Sequence, residues 1–202
     1  MSGCGPHCFA GFVLAGGLSS RMGTDKSALV FRGKSLLAHA IDVIRSATDT
    51  ITIVGNPEIH IVDSVPVISD GIRGAGPLAG IAAALASSRS PWNLVLACDM
   101  PLLQGEILQA IMQRALREPA CDAVVPLSGT RAQPLCAAYH LRSLPTIRAA
   151  LASGKLKIME ALHSGSLRLG HIEIVSAEPF RNVNTPEDWQ ALLLEPTPEK
   201  SA

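Results

Sequence analysis

Between Gly11 and Val125, short apolar runs alternate with segments of helical spacing. A chain patterned in this way closes into a mostly parallel sheet with helices on both faces. The apolar and β-branched runs predict strands at Gly11–Ala15, Ile51–Val54, Val65–Ile68, Leu94–Ala97 and from Ala123 to Val125. Helical spacing falls at Ser35–Ile44, at Leu78–Ala86 with Pro77 in the first turn, and at Ile107–Leu116. Beyond Gly129 the alternation weakens: Leu135–Tyr139 reads as an edge strand, Ile172–Val175 as a late strand and Pro186–Leu194 as a closing helix. In sheets of this kind ligands bind beyond the carboxyl ends of the strands. Two polar stretches lie there, one beginning at Gly16 and one at Asp99.

Composition narrows the class. Hydrophobic residues make up 48% and aromatics only 3%, so the core is to be built from Ala, Leu, Ile and Val. With 17 basic against 17 acidic side chains, the chain lacks the positive excess that a nucleic-acid binder needs to neutralise phosphates. Its 202 residues suit one domain, expected over residues 9–195 between tails at 1–8 and 196–202. The first eight residues carry no Lys or Arg, unlike a secretory signal. The apolar run from Phe9 to Ala15 is far shorter than the roughly 20 residues that span a bilayer. Five scattered cysteines do not resemble a disulfide framework, and the expectation is a cytoplasmic protein that binds no membrane. Cys4, His7 and Cys8 lie close enough to share a soft metal, but a closed zinc site wants four ligands, and Gly-Pro punctuation suits a flexible tail.

The richest chemistry is in Leu14-Ala15-Gly16-Gly17-Leu18-Ser19-Ser20-Arg21-Met22-Gly23-Thr24-Asp25-Lys26. Three glycines let the backbone curl so that N–H groups can face an anion. Arg21 supplies a planar fork for phosphate oxygens and Lys26 a compact charge, which together after a strand point to a triphosphate. The adjacent Gly16 and Gly17 do not make a dinucleotide G-x-G-x-x-G fingerprint. The near-match to a G-x-x-x-x-G-K-[ST] loop at Ala28–Ser35 lacks its first glycine, so Gly33-Lys34 reads as a tight turn before a helix. Asp99, directly after a strand, is the natural ligand for Mg²⁺, with capping of the helix beyond as the other reading. Asp70 can contact a ribose, a base or the metal. Asn56 can meet a base edge or simply form a turn.

Several stretches in this order resemble the molybdenum cofactor guanylyltransferases. They are the loop from Leu14 to Lys26, Gly76-Pro77-Leu78-Ala79-Gly80-Ile81, Cys98-Asp99-Met100-Pro101-Leu102, Pro134-Leu135-Cys136-Ala137-Ala138-Tyr139 and the run from Phe180 to Asp188. The resemblance covers nearly the whole chain and implies a three-layer, Rossmann-like nucleotidyltransferase fold of the α/β class. It implies that GTP and the molybdopterin cofactor react to give the guanine dinucleotide cofactor and pyrophosphate, with Mg²⁺ as the metal. Carried over by position, Leu14, Ala15, Gly16 and Gly17 touch the nucleotide, Lys26 holds phosphates and Arg21 balances the leaving group. Asn56 and Asp70 lie at the nucleoside end, Asp99 meets both GTP and Mg²⁺, and Asn182 and Asn184 lie near the pterin. A monomer is expected, with proteins of cofactor biosynthesis or delivery as further partners. The rival readings are a cytidylyltransferase of the same fold, a regulator that binds nucleotide without catalysis, and a metal-tail chaperone that delivers cofactor.

Overall fold

A computed structural model describes residues 9–15, 25–71, 75–165 and 167–195. Strand β1 (Phe9–Leu14) is buried along its whole length, which requires cover on both faces and pairing on both edges. Parallel partners flank it: β4 (Ile51–Val54) on one side and β6 (Trp92–Ala97) on the other. The short β5 (Val67–Ile68) continues the sheet parallel to β4. Beyond β6 stands β9 (Cys136–His140), antiparallel to β6 and to the next strand, β7 (Ala123–Ser128). Strand β10 (Leu169–Ile174) pairs parallel to β7, and β8 (Arg131–Ala132) folds back on β7 as a hairpin. The sheet has eight strands among the described residues.

Alternation along the strands divides the core in two. Phe9 and Val13 of β1, with Leu94 and Leu96 of β6, face α1 (Leu36–Arg45) and α3 (Gly105–Arg117), which contribute Leu37, Ile41, Ile44, Leu108 and Ile111. Ala10, Phe12 and Leu14, with Val95, face α2 (Gly76–Ser87), α4 (Leu144–Ala152) and α5 (Ile158–His163). Helices therefore cover both faces, giving the three-layer α/β arrangement expected from the alternation and from the resemblance. No helix among the described residues is long and apolar enough to cross a membrane.

Two features differ from the sequence reading. The strand expected at the edge around Leu135–Tyr139 is instead internal, between β6 and β7. Its alternate residues feed opposite cores, Cys136 and Ala138 one face and Ala137 and Tyr139 the other, and burial on both sides is the mark of an interior strand. The edge falls to β10. Helices α4 and α5 occupy a stretch where the alternation predicts no helix, and their Ile147, Ala150, Ala161 and Leu162 close the second core.

A third, smaller cluster joins the beginning of the chain to its end. Strands β2 (Val30–Phe31) and β3 (Lys34–Ser35) form a hairpin whose turn residues, Arg32 and Gly33, both have positive φ, 48° and 80°. Such a mirror-image turn matches the natural twist of two strands. Phe31 and Leu36 from this region pack with Val183 and with Leu192 of α6 (Pro186–Leu193), joined by the partly buried Trp189. Helix α6 opens with a full capping box between Thr185 and Asp188.

Candidate active site

Strands β1, β4, β5 and β6 are mutually parallel, so the residues after each of them emerge at the same edge of the sheet. Ala15, Asn56, Asp70 and Asp99 all lie just past these carboxyl ends, where an open α/β sheet binds its ligands. Backbone bonds hold the exits together: the Cys98 N–H donates to Leu14 O at 3.1 Å, Ala15 N–H to Val54 O at 2.9 Å and Gly55 N–H to Ile68 O at 2.8 Å. Of the loop after β1, Gly16, Gly17 and Arg21 lie outside the described residues, as do Cys4, His7 and Cys8.

Asp99 is the chemically loaded member. Its Oδ1 is buried with no hydrogen-bond partner in the structure. Burial pushes its carboxyl above the ordinary carboxylate range, while the Lys26 ammonium and a backbone hydrogen bond act in the opposite sense. It does not cap the helix beyond, because the residue at the cap position of α3 is Gln104. A half-buried carboxylate with an unsatisfied oxygen beside a lysine is a donor for a hard cation, and Mg²⁺ is commonly held by one or two carboxylates completed by substrate phosphates and water. The residues present therefore fit such an ion. Among the described residues no cluster of three His, Cys, Asp or Glu side chains offers an all-protein metal cage.

Lys26 opens a single 3₁₀ turn, Lys26–Ala28, capped by Asp25, whose Oδ1 accepts from Ser27 N–H at 2.9 Å. The Lys26 ammonium donates to Asn184 Oδ1 at 2.9 Å. One residue earlier, Val183 N–H donates to the backbone oxygen of Asp99 at 2.9 Å. The segment expected to lie on the acceptor side is thus tied by both its backbone and a side chain to the two residues expected on the phosphates. Asn184 N–H in turn donates to Asp188 Oδ2 at 2.8 Å, and this and further donors hold the Asp188 carboxyl below the usual range.

Asn182 and Asn184 line a cleft of about 540 Å³ together with Ser128, Arg131, Gln133 and Arg181. Asn182 Oδ1 is buried without a partner. Glu178 and Asp188 line the cleft as well, so it is of mixed charge, and its two guanidiniums and amide side chains can receive a polar group that carries a phosphate. Arg181 is also paired with Glu195. Arg131 and Gln133 carry no signal in the sequence, since they sit outside any glycine or carboxylate motif, whereas Arg181 lies in the Phe180–Asp188 run; the three meet only through β8 and the loop before α6.

The nucleoside-side residues are more dispersed. Asn56 is exposed, and its Oδ1 accepts from Glu58 N–H at 3.0 Å, a bond typical of Asn in a turn. Asp70 lines a separate cavity of about 440 Å³ between α2 and α4, with Ala79, Ala82, Ala83 and Arg148. The structure brings Leu14, Ala15, Lys26, Asp99 and Asn184 into one hydrogen-bonded neighbourhood, sets Asn182 in the cleft beside Asn184, and places Asp70 at the adjoining strand exits.

Comparison with known proteins agrees with this architecture. Residues 11–166 match the MobA-like NTP transferase domain. A protein of Bacillus mycoides named a probable molybdenum cofactor guanylyltransferase is 35% identical over 188 residues, 89% of this chain and 93% of its own. A Bacillus cereus protein of the same name is 33% identical over 189 residues, 90% of this chain and 94% of its own. The crystal structure of molybdopterin-guanine dinucleotide biosynthesis protein A from Archaeoglobus fulgidus superposes with a TM-score of 0.77 at 25% identity, covering 91% of this chain and 96% of that one.

Proposed function

We infer that this chain, which belongs to the MobA-like NTP transferase family and is a nucleotidyltransferase, transfers GMP from GTP to the molybdopterin cofactor. The products are the guanine dinucleotide cofactor and pyrophosphate. The observation that supports the reading is the joint between Asp99, Lys26 and the 182–184 segment, where a carboxylate that could hold a metal, an ammonium that could pair with phosphates and a polar cleft lined by two guanidiniums lie side by side. Nothing else in the described residues combines those three capacities.

The chemistry asks little of a general base, because a phosphate on the acceptor is already ionised at neutral pH. What needs stabilising is the charge gathered on the α-phosphate and on the departing pyrophosphate. Asp99 would hold Mg²⁺, which when bound supplies Lewis-acid neutralisation of the phosphate oxygens. Lys26 Nζ, held at Asn184, is placed to pair with the triphosphate and exchange its amide partner for a phosphate oxygen. In the cleft, Arg131 and Arg181 would receive the acceptor phosphate, with Gln133 and Asn182 donating or accepting at the heterocycle. Leu14 and Ala15 present backbone at the strand exit, and Gly16 and Gly17 would let that backbone approach the base. Arg21 would balance the leaving pyrophosphate, and Asn56 and Asp70 would meet the nucleoside.

The deciding experiment supplies the purified chain with molybdopterin, Mg²⁺ and equal GTP, CTP and ATP, and measures the dinucleotide formed. Guanine dinucleotide as the dominant product, abolished by chelation, is the expected result. Comparable use of CTP would replace this reading with that of a cytidylyltransferase, and nucleotide binding without product with that of a non-catalytic regulator.

A further inference from the structure

His60 belongs to no motif and is nevertheless buried, with only 5% of its surface exposed. Its ring is fixed at both nitrogens. Nδ1 accepts the backbone N–H of Asn56 at 2.8 Å, and Nε2 faces Asp25 Oδ2 at 3.1 Å. An Nδ1 that accepts leaves the proton on Nε2, so the ring donates to the Asp25 carboxylate. That carboxylate is the one whose other oxygen caps the Lys26 turn.

The chain makes room for this ring by giving up a side chain. A Cβ on Gly55 would fall 2.3 Å from His60 Nδ1, so the residue after β4 can only be glycine if the imidazole is to lie where it does. Asn56 O accepts from both Ile59 N–H and His60 N–H, at 3.1 and 2.9 Å, which coils the segment so that His60 returns over Asn56. The result is one side chain joining two loops that are 35 residues apart in sequence.

We propose that His60 is a positioning residue that ties the phosphate-holding turn of Lys26 to the nucleoside-side turn of Asn56. It touches no substrate. Its Nε2–H keeps Asp25 in place and so aims Lys26, while its Nδ1 keeps the Asn56 backbone turned toward the strand exits. The inference rests on the nucleotidyl-transfer reading above and adds to it a residue that reaches the site only through others.

The two functions of the ring are separable by shape. A Gln amide reaches the Nε2 position and an Asn amide the Nδ1 position, so His60→Gln preserves donation to Asp25 and His60→Asn preserves acceptance from Asn56. In steady-state GTP kinetics, His60→Gln should raise the KM for GTP by roughly three- to tenfold with kcat near wild type, the range one lost hydrogen bond allows. His60→Asn, which acts through Lys26, should raise KM and lower kcat together, each by a similar factor of roughly three to ten. Conservative variants that are indistinguishable from each other in this split would overturn the proposal, whether both resemble wild type or both are equally impaired. Nitrogen NMR of the wild-type ring gives a check that needs no variant: the Nε2–H tautomer supports the tether and the Nδ1–H tautomer ends it. If wild type neither binds nor turns over GTP, the functional reading fails, while the ring tautomer still reports on the tether.

Discussion

Replacing Asp99 with Asn should separate activity from stability, and in opposite directions. In the ligand-free protein Asp99 presents a buried oxygen with no partner, and burial works against its ionised form. Leaving such a group unsatisfied costs about 1–3 kcal/mol, more when charged. The neutral isostere removes the charge while keeping the shape and the backbone bond from Val183. Recovering about 1 kcal/mol of that cost would raise the melting temperature by roughly 2–4 °C for a chain of this size. Because the folded-state carboxyl titrates above its unfolded value, its contribution favours the folded state at low pH and is lost as pH rises through the folded value. The stability advantage of Asp99→Asn over wild type should therefore appear above the ordinary Asp range and vanish below it. On the proposed role of Asp99, activity should move the other way, since without the carboxylate the metal and α-phosphate would lose their anchor. A barrier increase of about 4 kcal/mol corresponds to roughly a thousandfold fall in kcat. Pyrophosphate release at saturating GTP and Mg²⁺, alongside thermal unfolding in chelator from about pH 3 to 8, measures both sides. Activity within tenfold of wild type would refute the metal assignment, and a melting temperature several degrees lower would refute the account of Asp99 as an unsatisfied group.

Lys26→Ala should weaken GTP binding and turnover together, whereas Arg21→Ala should depress turnover more than binding; equal losses confined to affinity would contradict that division. Gly16→Ala should erode the preference for GTP over CTP in competition assays before it lowers the melting temperature, and an unchanged preference would remove Gly16 from base selection. On the opposite edge of the sheet, Asp122 accepts from Arg168 N–H at 2.8 Å and from Arg142 Nε at 2.5 Å. Burial alone would raise this carboxyl, but these donors outweigh it and hold it below the usual range, so its stabilisation is present above the ordinary Asp value and lost as pH falls through the folded value. Asp122→Ala should cost about 2 kcal/mol at neutral pH, discounted from a fully buried pair because Arg142 is partly exposed, and the difference from wild type should shrink in acid when monitored by thermal unfolding.

How far the sequence could be read depends on which contacts are local. Strands such as Ile51–Val54 carry their own signature, and so does the turn at Gly33, because the physical demands of a buried parallel strand and of a tight turn are met by neighbouring residues. The inner position of Cys136–His140 is not of that kind. A run of Cys-Ala-Ala-Tyr says nothing of whether it ends on an edge or slides between two strands; that is decided by pairings of Ala138 with the remote Leu94 and Val124. The site divides in the same way. Lys26 and Asp99 announce themselves by residue type after a strand, whereas Arg131, Gln133 and His60 become functional candidates only when folding brings remote segments to them.

The small cluster of Phe31, Leu36, Val183 and Leu192 has a consequence for timing. The two large cores draw mainly on strands and helices that are complete once β10 has been made. Lys26, however, finds its acceptor on Asn184, and the Asp99 backbone oxygen finds its donor on Val183. During synthesis from the amino end, the sheet can therefore assemble before the residues that align its reactive edge have left the ribosome. On the proposed roles of Lys26 and Asp99, capacity to react would come after the sheet, with the docking of α6 against the hairpin near the beginning of the chain. A nascent chain would hold a finished scaffold and an unfinished site, unable to consume nucleotide until its closing helix is in place.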